Sequence, residues 1–589
     1  MPSTEVGRPK MDSSSIPTRI AIGICILSFC ASLWHVGART IRRMGWGGKA
    51  VATQVATYQP VLSEPETGDE KLTSEVAKSA SNLGSAPAKS PRIEAELYIG
   101  HWLLHTGMRE AFDATIEDYQ HLHPETRIHQ LPVPIRFYPA WARTQLIGDT
   151  AADITGMLAL NEELISRYYL PLTPWLDKPN PYNAGTSLEG VAWRDTFFDG
   201  LSGMRALTAT SGEISGIILQ INSLRLYYNR EMLIEITGND TPPKDLSDLK
   251  ALAAKIDTYN QRTGQKIIPI AGCGPYAGFA FDRVVPSQTQ RLALDQSPNR
   301  NLRVSTLELA SLMLDGIFSY TKTPELRSSL ELMREISLML TPGFMQLQRD
   351  EAIAAYVQQR SLMLIAGSWD YAALIDGVPF ETRALPVLGP STSDPQFGQF
   401  TLGQVAEPMG IEGSMGIIRS SRTPEAALDF LHYLTSQRAA EKFSQISQRL
   451  SAILDTPGPP NLEQIKPQLN GEIPGFAIDF RSFSTGHSDH HFQRYIHRIV
   501  GTQADVEGVA AHLDKELPRY LRDDIAAHLR HLRRDVQRLD ATITLHYTLP
   551  SDHHARTNWR RHSEVQHLRK FDSLRYRRYN STPSSMDAI

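Results

Sequence analysis

Trp102, Trp141, Trp193 and Trp369 each sit beside polar or loop-forming residues, as do Tyr138, Tyr227, Tyr228 and Tyr276. Flat rings next to carboxylates and amides suit a sugar, whose ring has an apolar C–H face and a rim of hydroxyls that need fixed donors and acceptors. Any one of these rings could equally be core packing, so the expectation is carried by the set. Other chemistries find less support: the chain has no Gly-x-x-x-x-Gly-Lys-Ser/Thr loop, no His-Glu-x-x-His pair and no Gly-x-Ser-x-Gly elbow. The glycines of Ala271-Gly-Cys-Gly-Pro-Tyr-Ala-Gly278 lack the dinucleotide spacing and a following helical pattern, and read as a loop lining a cleft. His487-Ser-Asp489-His490-His491 has metal-ligand residue types but reads as a polar surface loop, because neighbouring histidines on irregular backbone seldom converge on one ion. No metal and no cofactor is expected.

The elements that would position these residues alternate in type. In Glu94-Ala-Glu-Leu-Tyr-Ile99 apolar and polar residues alternate as in a strand, and Met108, Phe112, Ile116 and Tyr119 then recur at helical spacing until His123-Pro124. Strands follow around Arg127–Val133 and at Ala151-Ala-Asp153-Ile-Thr. Strand–helix alternation of this kind implies an α/β sheet. Thr323-Pro324-Glu325 and Thr423-Pro424-Glu425 each set a capping hydroxyl before a proline suited to the first helical position. Leu521, Ile525, Leu529, Leu532, Val536 and Leu539 form a narrow apolar seam on one long helix, which either docks on the body of the chain or pairs with a second copy.

The 589 residues carry 60 Lys and Arg against 64 Asp and Glu, a net −4 that disfavours nucleic acid as a partner. Hydrophobic residues at 41% and charged residues at 21% describe an ordinary globular protein, which excludes a mostly disordered chain or a multi-span membrane protein. Of the three cysteines, Cys25 and Cys30 lie in the N-terminal apolar stretch, leaving Cys273 without a bridging partner. Ile20–Ala38 has no charged residue and lies between Arg19 and Arg39, so it reads as a transmembrane signal anchor or a signal peptide. The basic residues after it slightly outnumber those before it, which on charge alone would keep the following chain cytoplasmic. The Ser-, Ala-, Pro- and Glu-rich stretch that follows reads as a tether. Beyond Ser551 the chain is basic and reads as a mobile tail.

Six segments keep a common order along the chain: Tyr119-Gln-His-Leu-His-Pro124, Ala151-Ala-Asp153-Ile, Tyr169-Leu-Pro-Leu172, Leu226-Tyr-Tyr-Asn229-Arg-Glu, Arg360 to Asp370, and Gly416 to Ser436. Together they resemble the sugar- and oligosaccharide-binding group of the extracellular solute-binding proteins of ABC importers. Pro243-Lys244-Asp245-Leu246 departs from the family's Thr-Trp after the prolines. The resemblance implies a two-lobed α/β periplasmic-binding-protein-like fold with hinge crossovers, extended here by the N-terminal helix and a C-terminal helical segment. It implies a sugar or oligosaccharide held between the lobes without catalysis, delivery to ABC permease subunits, and a place on the periplasmic side of the cytoplasmic membrane, overriding the charge count. By analogy Trp369 is the stacking platform, Trp102 a second aromatic wall and Asp153 an acceptor for sugar hydroxyls, with Trp193, Tyr276 and Asp370 as further ligand-binding candidates. The expected organisation is a cytoplasmic N-terminus at 1–19, the membrane segment at 20–38, a linker at 39–92, the interleaved two-lobed domain at 93–500, a helical extension at 501–545 and a basic tail at 546–589. Two other readings stay open: a membrane-anchored sensor or assembly component on the same fold, and a carbohydrate-active hydrolase, which would need a carboxylate pair spanning the bond.

Overall fold

The computed structural model describes residues 93–201, 213–296, 304–407, 410–481, 483, 486–548 and 553–580. The segments 1–19, 20–38 and 39–92 lie outside the described residues, and among the described ones no helix is long and apolar enough to cross a membrane.

Alternation in the first strand has the expected result: in β1 (Ala95–His101) Leu97 and Ile99 point into a core, and Met108, Phe112, Ile116 and Tyr119 of the next helix cover them. β1 pairs in parallel with β2 (Thr126–Pro132) and β3 (Ile154–Gly156), and β10 (Met415–Ile417) closes the sheet antiparallel to β3. This is lobe 1. Lobe 2 has its own sheet, in the order β6 (Ile268–Ala271), β7 (Ser361–Gly367), β5 (Leu224–Asn229), β8 (Thr382–Pro386). β5 and β7 are buried along their whole length, as strands sandwiched by helices must be. Two separate apolar cores follow from the two sheets.

The lobes are joined by a small antiparallel sheet in the order β11 (Leu450–Ser451), β4 (Gln220–Asn222), β9 (Gly410–Glu412). β4 carries the chain from the core of lobe 1 into β5, and β9 returns it to β10. After β11 the chain crosses again, from Ala452 and Ile453 in lobe 1 to Leu462 and Ile465 in lobe 2. Such a set of strands can flex as a hinge between rigid bodies.

Further helices hold the features of interest: α1 (Glu162–Tyr168), α2 (Gly274–Val284), α3 (Arg349–Val357), α4 (His487–Ile496), α5 (Val506–Thr548) and α6 (His553–Arg575). Several differ from the sequence expectation. The 271–278 glycine string is no loop: Pro275 occupies the first turn of α2 and starts it. The 487–491 cluster forms the first turns of α4, whose leading N–H groups, those of His487 and Ser488, donate to the buried Asp524 carboxylate on α5. Both Thr-Pro-Glu sites do begin helices, Pro324–Ser337 and Pro424–Leu434, yet neither threonine hydroxyl caps. The Thr323 hydroxyl instead accepts from the Ser319 N–H, and the Thr423 backbone lies outside the extended conformation that capping requires.

The apolar seam docks on the chain itself. Leu513, Leu517, Leu521, Ile525, Leu529 and Leu532 are buried in the core of lobe 2, which removes the observation behind a helical dimer. At roughly 1.5–3 kcal/mol per side chain, this burial outweighs any surface contact α5 makes elsewhere. The basic segment beyond Ser551 is helical as α6, running antiparallel to α5 through polar contacts that charge counting could not foresee: Gln566 donates to the Val536 carbonyl at 3.1 Å, and Arg569 pairs with Asp535 at 2.5 Å.

Candidate functional site

The carboxyl ends of β1 and β7 bring side chains of both lobes to the hinge. In lobe 2, β7 ends at Gly367 and the chain turns through Ser368-Trp369-Asp370. Asp370, 1% exposed, accepts from the Tyr276 hydroxyl at 2.7 Å and from the Arg349 Nε at 3.0 Å, with a second bond to Arg349 Nη2. Tyr276 lies in the first turn of α2 and Arg349 opens α3, so three elements converge on one carboxylate. The Tyr276 oxygen also accepts from the Trp369 Nε1 at 3.0 Å and the Arg349 Nε at 3.1 Å. Every polar atom that could swing the indole is thus tied down, and the ring stays half-buried with Phe279 set edge-on to it, centroids 6.5 Å apart. A flat, immobilised and partly open ring is what stacking on a sugar face needs.

Electrostatics reinforce the cluster. Burial works against the charge of Arg349, but the hydrogen bonds and attraction of Asp370 outweigh it and raise its pKa. The Tyr276 phenol is pushed up by burial and then by the neighbouring Asp370 charge, so it remains a neutral donor.

The hinge and lobe 1 add a second polar group. Glu412 on β9 and Arg449, just before β11, face each other at 3.6 Å, and Arg449 is only 3% exposed. Its three guanidinium nitrogens have no hydrogen-bond partner in the protein, an expensive arrangement for a buried cation. Burial lowers the Arg449 pKa and raises that of Glu412, each opposed by the other's charge. His105, which follows β1, stands 3.8 Å from Glu412; burial and then the Arg449 charge bring its pKa down to about 4, so it is neutral at neutral pH. The fields of Asp370 and Arg349 also act on His105, which places the lobe 1, hinge and lobe 2 groups in one neighbourhood.

Of the sequence candidates, Tyr276, Trp369 and Asp370 come together here. Trp102 does not present an open wall: it is 5% exposed, tilted against Tyr138 at 5.1 Å, and so close to Gly156 that any side chain there would run into its ring. Trp193 is fully buried in lobe 1, where its Nε1 donates to Thr435 Oγ1 at 2.9 Å and its ring packs on His432. Asp153 precedes β3 at its amino end, and its carboxylate accepts from the Tyr98 N–H at 2.9 Å and the Ser421 hydroxyl at 2.7 Å, tying β1 to the turn after β10. Its acceptors are engaged in holding lobe 1 together. Arg349, His105, Glu412, Arg449 and Phe279 were missed, since the elements that bring them together are far apart in the chain; the Gly274-Pro-Tyr276 string and Trp369-Asp370 were the marks of this neighbourhood in the sequence. Among the described residues no group of three or more His, Cys, Asp and Glu is arranged to hold a metal. A separate hollow lined by Phe281, Asp282, Arg481 and Phe492 lies inside lobe 2 and shares no residue with this cluster.

Comparison with known proteins agrees with this architecture. The profile of the family described as bacterial extracellular solute-binding protein matches residues 176–465. No curated protein is a detectable relative of the chain. Among solved structures, apo RafE from Streptococcus pneumoniae is similar at 13% identity and TM-score 0.50, covering 74% of this chain and 100% of RafE. The bacterial solute receptor AcbH, described as having an exclusive preference for β-D-galactopyranose, is similar at 13% identity and TM-score 0.51, covering 73% of this chain and 99% of AcbH. At such identities the likeness is one of fold, two lobes about a hinge. Over residues 176–465 the chain is similar to the bacterial extracellular solute-binding proteins, and the two-lobed fold agrees with that match.

Proposed function

We propose that this protein captures a sugar or oligosaccharide between its lobes, without altering it chemically, and passes it to the permease subunits of an ABC importer. The observation that carries the proposal is the Trp369 indole, held by Tyr276, Asp370 and Arg349 beside the hinge pair Glu412–Arg449. An apolar plate bordered by fixed donors and acceptors matches the two-faced chemistry of a pyranose ring. The ligand favours the closed form by as much as its affinity for that form exceeds its affinity for the open one. RafE in complex with raffinose, a relative in fold at 13% identity and TM-score 0.50, fits the same reading. On this reading the chain works on the outer side of the cytoplasmic membrane, with residues 20–38 as anchor or signal segment and 39–92 as tether.

Thermal unfolding against a panel of mono- and oligosaccharides, amino acids and peptides tests this. A sugar present at about 100 times its Kd should add roughly 2.7 kcal/mol to stability. Stabilisation by amino acids or peptides with none by any sugar would refute the substrate class, and recovery of a cleaved glycoside would refute binding without chemistry.

A further inference from the structure

Helix α5 is attached to the two lobes by unlike forces. Its first half lies in the core of lobe 2 through Leu513, Leu517, Leu521, Ile525, Leu529 and Leu532. Farther along, Arg538 leaves lobe 2 behind and donates to Glu163 Oε1, on α1 of lobe 1, at 2.9 Å. From the adjoining α6, Arg569 reaches Glu162 Oε2 at 3.4 Å, while near the end of the same helix and just beyond it Arg575 and Arg578 return to lobe 2, to Glu308 at 3.6 Å and Asp315 at 2.6 Å. α1 follows β3, so it starts from the carboxyl edge of the lobe 1 sheet, the edge from which His105 reaches the hinge cluster. The two C-terminal helices therefore link the lobes by a route separate from the crossovers at β4, β9 and β11.

We propose that α5 and α6 form a strap, anchored in lobe 2 and caught on lobe 1 by the Arg538–Glu163 and Arg569–Glu162 pairs, that sets how readily the cleft opens. A body hinged only at its crossovers can swing freely about them; a further connection at the cleft-side edge restrains that swing. The two attachments differ in strength in the way a catch requires. Apolar burial fixes the strap to lobe 2, whereas the lobe 1 end rests on charges that are partly exposed and screened by salt. Such pairs bias an open–closed equilibrium without locking it, so ligand binding can still drive the change. The local field suits the catch: the hydrogen bond and charge of Arg538 hold the Glu163 carboxyl below its usual range, and Arg534 and His531 act in the same direction.

The test uses the ligand-free full chain, so it is independent of which ligand binds. Spin labels at Glu117→Cys in lobe 1 and Lys255→Cys in lobe 2, with Cys25 and Cys30 changed to serine, report the distance between lobes by pulsed electron resonance. In low salt the parent should give a narrow distribution. Glu162→Gln with Glu163→Gln, in protein that melts at the parent's temperature, should shift it toward longer distances, lowering the closed-to-open ratio about threefold to tenfold, as should 1 M salt in the parent. The exchange Glu163→Arg with Arg538→Glu should restore the narrow distribution. An unchanged distribution in the glutamine variant, or a shift that the exchange leaves in place, would overturn the strap.

Discussion

Lobe 1 and lobe 2 use the same residue types to opposite ends. In lobe 1 the indoles of Trp102 and Trp193 are buried in the core and the Asp153 carboxylate fastens β1 to a turn. In lobe 2 Trp369, Tyr276 and Asp370 are drawn by Arg349 into one network at the hinge, with the indole left partly open. A tryptophan beside polar residues therefore says that a ring has polar neighbours in the chain; whether it packs a core or faces a ligand depends on which elements fold over it.

The largest expected contrast is in stability. Trp193→Ala removes a fully buried ring and its bond to Thr435 and should cost about 3–5 kcal/mol in denaturant unfolding. Trp369→Ala should cost much less; equal losses would erase the distinction between the lobes.

Acidification probes the point where the lobes meet. The His105 pKa is lowered in the folded state to about 4, by burial first and then by Arg449, whereas the unfolded chain has the ordinary value near 6.5. The unfolded state therefore binds more protons between these values, so stability is full above about pH 6.5 and falls as the pH drops toward 4. His105→Gln should flatten that acid limb by up to about 3 kcal/mol. Parallel acid limbs in the two proteins would mean that His105 is not in the buried cluster. Burial raises the Glu412 pKa, which has the opposite sign: its contribution is present in acid and lost as the pH rises, so it cannot mimic the histidine.

Asp370→Asn leaves Arg349 half-exposed without its anionic partner and should destabilise lobe 2 by about 2 kcal/mol, less than for a fully buried pair. The variant should also free the indole, seen as faster depolarisation of its fluorescence. An Asp370→Asn protein as stable as the parent would show that the network does not hold the ring.

Much of the fold could be read from the chain because local signals agreed with tertiary structure: alternation in β1, the apolar periodicity of the helix after it and the prolines at helix starts all serve the sheets they flank. The site was less legible. Asp370 meets Tyr276 and Arg349 across intervals of 94 and 21 residues, and Glu412 and Arg449 meet because β9 and β11 flank β4 in the hinge sheet. No local pattern encodes those approaches. The basic C-terminal segment was misjudged for a related reason, since α6 is held by arginine and glutamine contacts to acidic and carbonyl groups on α5.

Titration calorimetry of the best-binding sugar against Trp369→Ala and Asp153→Asn compares the lobes at the ligand itself. Loss of one platform ring should weaken binding about tenfold, while Asp153→Asn, whose carboxylate serves the lobe 1 framework, should bind within twofold of the parent. Undiminished affinity in Trp369→Ala together with a large loss in Asp153→Asn would contradict the assignment of the ligand site to the Trp369 network.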